Sequence, residues 1–482
     1  MDLKRQPSAR ALEEDNPAGA LAGQNRLRSL ARHWLWIAVA GGLLAGCASY
    51  RPQPLNLTAV TRALHLPSHP QLVLEASQIA HPLLRPVRLD FNRGLGPEQV
   101  AVLAVLVNPA LRANRDRRAL SAAQTLSAGI LPNPTVGYGR DFVTGGNTLG
   151  TVTAYNFTAS WDLSSAISRK AKVRAAKENA QAIELDVAWT EWQTAEAAKL
   201  AFFRVLCLRG QVEQARQIEV DLRHTVEPLQ KAVDQHQRSV LDLAAAQAAT
   251  ADAHATYLGL RQELERQTFE LKRAIGLPPD ATLPLRTEGN APAPVAVPDP
   301  YELTAALEHR RLDLLGLRVG YQSQDEKLHA AVLAQLPRIS LGFSKASDTT
   351  NVHTTGGVVS IDLPIFDRNQ GNIATEKATR QSLYDEYMNR LYQARVDVAQ
   401  ATADLRSLND QLAAAAKALS DLGRLLDVAQ TALNRNQIDA VAYFQAKTNY
   451  DQKQIQRLKL MQQVQEFRVA LELAAGCYLP GH

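Results

Sequence analysis

Tyr155-Asn156-Phe157-Thr158-Ala159-Ser160-Trp161-Asp162-Leu163 alternates apolar with polar residues over its whole length. Side chains of an extended strand point alternately to opposite faces, so the stretch predicts a strand with one apolar and one polar face. Two hundred residues on, Val359-Ser360-Ile361-Asp362-Leu363 repeats the alternation in the same phase. A partner strand is expected ahead of each, around Thr135 to Phe142 and Arg338 to Lys345, with Gly145-Gly146 and Asp348 to Asn351 in the loops. The sequence thus offers four strands in two hairpins.

The surrounding chain is duplicated as well. Asn108-Pro109-Ala110-Leu111 and then Leu131-Pro132-Asn133-Pro134-Thr135-Val136-Gly137-Tyr138 lead into the first hairpin. Arg311-Leu312-Asp313-Leu314 and then Leu336-Pro337-Arg338-Ile339-Ser340-Leu341-Gly342-Phe343 lead into the second. The two copies end alike, in Ala274-Ile275-Gly276 and Ala474-Ala475-Gly476. Internal similarity at this period predicts two equivalent halves, 97–277 and 301–476, joined by a Pro/Ala-rich linker at 278–300 and followed by a short tail at 477–482.

Each hairpin is followed by a long Ala-rich helical pattern. From Ala166 to Gln237 the only Pro is Pro228 and the only Gly is Gly210, and from Asn372 to Arg435 only Gly423 interrupts. At 1.5 Å per residue such helices reach roughly 100 Å. A helix of about 33 residues before each hairpin and one of about 36 after the reversal near Ser239 or Gln437 add up to the length of the long one. Each half therefore reads as one long rod packed against two shorter rods, with Pro228 expected to interrupt the first.

Toward the N-terminus, Trp34 to Ala45 is a 12-residue apolar run behind Arg28, Arg32 and His33, closed by Leu44-Ala45-Gly46-Cys47. It is well short of the ~20 residues of a spanning helix and reads as a secretory leader, residues 1–46, outside the fold. No Met lies between Met1 and Met388, so a shorter native start would use an alternative initiation codon. The ending resembles the bacterial lipoprotein signal. That resemblance implies cleavage before Cys47, a diacylglycerol on its thiol, an N-acyl chain such as palmitate, and a lipidated segment at 47–96. Ala48 and Ser49, in place of an Asp, imply export to the outer membrane.

Composition excludes other classes. A hydrophobic content of 46% argues against disorder. Of the net charge of +5, the leader's six Lys/Arg against four Asp/Glu account for part, leaving about +3 spread thinly, which argues against nucleic acid. Cys207 and Cys477 lie far apart in helical sequence, so no disulfide framework is expected. No His-x-His, Cys-x-x-Cys, His-Glu-x-x-His, nucleophile motif or phosphate-binding Gly loop is present, so neither a metal site, a cofactor nor catalysis is expected.

These features together resemble the TolC-type outer membrane efflux factors. The residues that carry the resemblance are Asn108 to Leu111, Leu131 to Pro134, Leu336 to Leu341 and, most specifically, Leu363-Pro364-Ile365-Phe366-Asp367-Arg368-Asn369-Gln370-Gly371-Asn372, a run like that of heavy-metal efflux components. The resemblance implies a mainly α chain with a small β part. Long antiparallel helical hairpins would form a trimeric periplasmic α-barrel, and four strands per chain would enter a shared 12-stranded transmembrane β-barrel. Its partners would be two further copies of itself, a periplasmic adaptor, an inner membrane pump and outer membrane lipid. Four strands alone cannot close a membrane barrel, for which eight is the usual minimum. An exit duct for secreted protein, or a periplasmic coiled-coil scaffold without a pore, remain as alternatives.

Two groups of candidate residues follow. Tyr155, Phe157, Trp161, Val359 and Ile361 form the membrane-facing stripe, opposite a polar face of Asn156, Thr158, Ser160 and Asp162. Val240, Asp242, Leu243, Ile438, Asp439, Val441 and Tyr443 mark the helix reversals, which the resemblance places at a tip that narrows the channel and meets the adaptor. There Asp242 and Asp439 are expected as mouth carboxylates favouring cations. For the leader, metabolic labelling with a radioactive fatty acid should mark the wild-type protein and leave Cys47→Ser unlabelled; equal label in both would refute lipidation at that thiol.

Overall fold

Helix length dominates the computed structural model, which describes residues 49–64, 67–286, 297–435 and 437–479; Cys47 and the leader lie outside these. A first unit, ending at Arg62, contributes most of helix α1 (Leu57–Ala63), and everything that follows belongs to the second unit. There α2 is His69–Ser77, α3 Pro97–Val107, α4 Pro109–Gly129, β1 Thr135–Asp141, β2 Ala154–Asp162, α5 Ser164–Asp234 and α6 Val240–Ile275. The second half follows with α7 Pro300–Ala305, α8 Leu307–Arg310, α9 Leu312–Leu333, β3 Arg338–Ser347, β4 His353–Asp362, α10 Gln370–Asn434 and α11 Ala440–Ala475.

At 71 and 65 residues, α5 and α10 extend about 105 and 100 Å. Helix α5 runs through Pro228 and ends only at Asp234. A helix this long has no stability of its own in water beyond what its packed stripe supplies. The stripe is covered in pieces. Helices α3 and α4 pack on the first part of α5 and α6 on the rest, while α9 and α11 do the same for α10. Helices α9 and α11 also pack on α5 and so join the two halves.

The single helix of about 33 residues expected before each hairpin is in fact broken, and the reason is local. At Asn108 the backbone is extended, as it must be ahead of Pro109, and the side chain caps α4 by accepting a hydrogen bond from Ala110 N at 2.9 Å. The same side chain donates to Ala274 O at 2.9 Å, tying the break to the C-terminus of α6. In the second half Arg311 occupies the equivalent break and donates to Ala474 O at 3.1 Å. Helices α6 and α11 both end on a left-handed glycine, Gly276 at φ 89° and Gly476 at φ 65°, pressed against these breaks. The repeated Asn-Pro-Ala-Leu and Ala-Ile-Gly motifs are thus two sides of one joint.

The chain ahead of α3 packs onto the helices from Pro67 onward. Helix α2 buries Leu72 and Ala76, and beyond Glu98 and Gln99 the apolar stretch of α3 buries Val100 to Val105 and Val107, consecutive positions that face all round the helix. His81 accepts from Leu83 N and Leu84 N at Nδ1 and donates from Nε2 to Ala188 O at 3.0 Å, a neutral tautomer whose pKa burial lowers. Leu95 bridges Leu285, so the start of the predicted linker is itself held.

A Cβ at Gly276 would stand 2.6 Å from Pro109 Cδ and 2.7 Å from Asn108 Cα. Gly276→Ala should therefore lower stability by on the order of 1–3 kcal/mol, read as a lower thermal midpoint in detergent. Gly210→Ala, where an added Cβ meets nothing within 4 Å, should leave the midpoint unchanged or slightly raised.

Candidate functional site: a two-faced sheet and paired helix reversals

The two hairpins form one antiparallel sheet in the order β1-β2-β3-β4, so the two halves of the chain are paired through β2 and β3. Register decides which side chains share a face. Trp161 opposes Leu341, which opposes Val359; Ile339 opposes Ile361; Val136 opposes Ala159, which opposes Phe343; Tyr138 opposes Phe157. These residues, with Tyr155, lie on one side. The other carries Thr135, Asn156, Thr158, Ser160, Asp162, Arg338, Ser340, Ser344, Thr354, Ser360 and Asp362, with Val358 as its one large apolar member. All five residues of the predicted stripe therefore share a face. Phe157, Trp161, Val359 and Ile361 are all exposed on it.

Trp161 sits at the helix end of β2, where its Nε1 donates to Pro132 O at 2.8 Å. It is a rim residue, and the middle of the apolar face belongs to Ala159, Phe343 and Val136. Below the sheet the halves differ. Helix α5 starts directly at Ser164, whose N–H donates to Asp162 Oδ1 at 2.8 Å. Helix α10 starts only after the Pro364–Asn369 segment, which folds on itself: Asn369 N donates to Asp367 at 2.9 Å, Arg368 N to Gln370 at 2.7 Å, and Asn369 Nδ2 to Ala331 O at 2.8 Å. The specific motif is thus a turn held by its own side chains that leaves Phe366 exposed.

At the opposite end the two reversals clasp each other. Arg238 donates to Leu433 O at 2.9 Å, and Asp242 accepts from Ser239 N at 3.2 Å and from Ala440 N at 3.1 Å. Asp242 is only 6% exposed, so the expectation of a mouth carboxylate is corrected here: one of its oxygens closes a capping box on α6 and the other caps α11. Leu243 and Tyr443 are also buried, Tyr443 packed with Ala246 and Phe444 in the core of the tip. Burial also raises the pKa of Tyr443. Asp439 stays exposed, capping α11 through Ala442 N at 2.8 Å. Val240, Leu241 and Val441 project outward, the first two at 69% and 72% exposure, while Ile438 is half-buried. The Ser239-x-x-Asp242 spacing was the signal for the capping role, and it was readable before the fold was known.

Sequence reasoning missed a charged cluster at the level of the joints. Lys199, fully buried, reaches Glu472 at 2.5 Å and Glu98 at 2.8 Å, lies 4.9 Å from the Tyr478 ring centre, and has Glu196 at 3.9 Å. Four parts of the chain meet there: α3, α5, α11 and the C-terminal tail. Among the described residues neither oxygen of Glu196 has a hydrogen-bond partner, and burial pushes its pKa up to about 8 against the opposing pull of Lys199. Nothing in a single Lys or Glu on a long amphipathic helix marks it for burial.

Residues 303–477 match the family model for outer membrane efflux proteins. No curated protein matches. Among solved structures, the fold is similar to that of CusC, with 19% identity and a TM-score of 0.68 over 83% of this chain and 98% of that one. It is similar also to VceC from Vibrio cholerae, with 17% identity and a TM-score of 0.65 over 79% and 96%. The open state of the Neisseria gonorrhoeae outer membrane channel MtrE gives 18%, 0.65, 83% and 97%. The match by sequence thus lies within the second half, and the likeness of fold extends over both halves.

Between about pH 4.5 and 8, folded Glu196 keeps a proton that the unfolded chain has released, so its contribution to stability falls as pH rises through that window. Glu196→Gln should flatten this slope, seen as a smaller change in thermal midpoint between pH 5 and pH 8 than in wild type.

Proposed function

We propose that three copies of this chain build one channel, each supplying four strands to a barrel in the outer membrane and its helices to a periplasmic tunnel. The observation that carries this is the sheet. It has one apolar and one polar face, both largely open, and among the described residues its outer strands β1 and β4 each have a free edge. An open edge in lipid would leave backbone N–H and C=O groups unpaired, so such a sheet must continue into other copies. The number three comes from the family resemblance. Among the described residues no helix is long and apolar enough to cross a membrane.

A second feature supports self-association. Tyr384, Met388, Tyr392 and Val396 recur every four residues along α10, and all are exposed. A stripe at this spacing faces one way and suits burial against a neighbouring helix. At the other end, the exposed Val240, Leu241 and Val441 are apolar groups at a helix reversal, as a periplasmic adaptor would need. In this reading the adaptor links the channel to an inner membrane pump, the lipid on Cys47 anchors the chain, and small solutes or metal ions pass through. The chain itself contributes a conduit and no chemistry.

In planar bilayers the purified protein should conduct as a trimer, and a monomeric mass with no conductance would overturn the shared barrel. Phe343→Lys, in the middle of the apolar face, should cost about 2–4 kcal/mol of stability, against about 0–1 kcal/mol for Trp161→Lys at the rim. Equal effects from the two would mean that the apolar face is not in lipid.

A further inference from the structure

The apolar face changes character toward the β1–β2 and β3–β4 loops. Arg140 opposes Tyr155, which opposes Ser347, which opposes His353, and one step nearer the middle Lys345 lies between Phe157 and Thr355. Arg140, Lys345 and His353 therefore project from the same face as the apolar residues, and all three are exposed. None of the three has a salt bridge among the described residues, and Arg140 stacks over Phe142 at 5.4 Å. No carboxylate shares that face: Asp162 and Asp362 lie on the polar side, and Asp141, opposite Ala154, lies there too. Asp348, in the loop beside His353, accepts from Thr350 N and Val352 N, both at 2.9 Å. The hydrogen bonds from Thr350 and Val352 and the nearby His353 hold its carboxyl below the usual range, so it offsets part of the charge of His353 and leaves Arg140 and Lys345 as the cations that carry the surface.

Strands are ~4.8 Å apart and rise ~3.4 Å per residue, so Arg140 on β1 and Lys345 on β3, two strands over and one same-face row along, stand roughly 12 Å from each other across β2. Their long side chains can converge on one anion between them, flanked by Tyr138, Tyr155 and Phe157. Cations one or two rows beyond an apolar band, among aromatics, match an amphiphile whose tails lie on the band and whose head is a phosphate. On the membrane reading above, the loop end of the sheet emerges from the outer leaflet.

We propose that Arg140 and Lys345, with His353, form a docking surface for the phosphate of an anionic lipid in the leaflet around the loops. The surface rests on the reading of the apolar face as lipid-facing. It gives the barrel a fixed depth, because the phosphate is held just above the hydrocarbon.

Native mass spectrometry of the detergent-purified protein, titrated with an equimolar mixture of phosphatidylglycerol and phosphatidylcholine, tests it. Wild type should retain phosphatidylglycerol preferentially. Arg140→Gln combined with Lys345→Gln should lose that preference by roughly fivefold for each cation removed. Arg140→Lys, which keeps the charge, should retain most of it. No preference in wild type, or an unchanged one in the double variant, would overturn the surface. Conductance of both proteins in phosphatidylcholine bilayers is read separately: its absence counts against the pore, while its presence with an unchanged lipid preference counts against this surface alone.

Discussion

A helix of 65 to 71 residues must be covered along its whole length, and the rest of the fold follows from that constraint. Among the described residues the two long helices do not cover each other. Each long helix is instead covered by a 21- or 22-residue piece from the sheet side and a 36-residue piece from the tip side, meeting end to end. An end-to-end junction exposes helix termini, whose carbonyls and N–H groups need partners. Asn108 and Arg311 satisfy them, and Gly276 and Gly476 allow the backbones to approach closely enough.

The buried charges around Lys199 sit at the same level as these junctions. Breaking a buried pair by removing one member leaves an uncompensated charge, so such a cluster tolerates only one arrangement of the helices around it. Because Lys199 comes from the first half and Glu472 from the second, it sets the two halves in register. The tip is locked in a comparable way, with Asp242 of one reversal capping the first helical turn after the other. Rigid connections at both levels suit long helices that must hold position relative to one another over about 100 Å.

At the sheet the constraint is reversed: much is left unsatisfied. Exposed apolar side chains on one face, exposed polar ones on the other and two open edges make no sense for a sheet in water, where one face would be packed on a core. The α10 stripe is unsatisfied in the same sense. These open surfaces are what the proposed assembly and membrane insertion would cover.

Much of this was legible in the sequence because it is periodic. Alternation at Tyr155–Leu163, the matching phase at Val359–Leu363, the 200-residue repeat and the scarcity of Pro and Gly from Ala166 and from Asn372 onward are local patterns, and strand and helix geometry convert them directly into elements and faces. The broken helices at Asn108 and Arg311, the burial of Asp242 and the Lys199 cluster were not legible in the same way. Each depends on a partner some 160 to 270 residues away, as with Asn108 and Ala274, Arg311 and Ala474, Asp242 and Ala440, or Lys199 and Glu472. Whether a polar side chain is solvated or buried is decided by what packs over it. The sequence alone therefore determined the elements, their faces and the duplication, whereas only the tertiary structure decided which polar groups hold the halves together and which remain exposed.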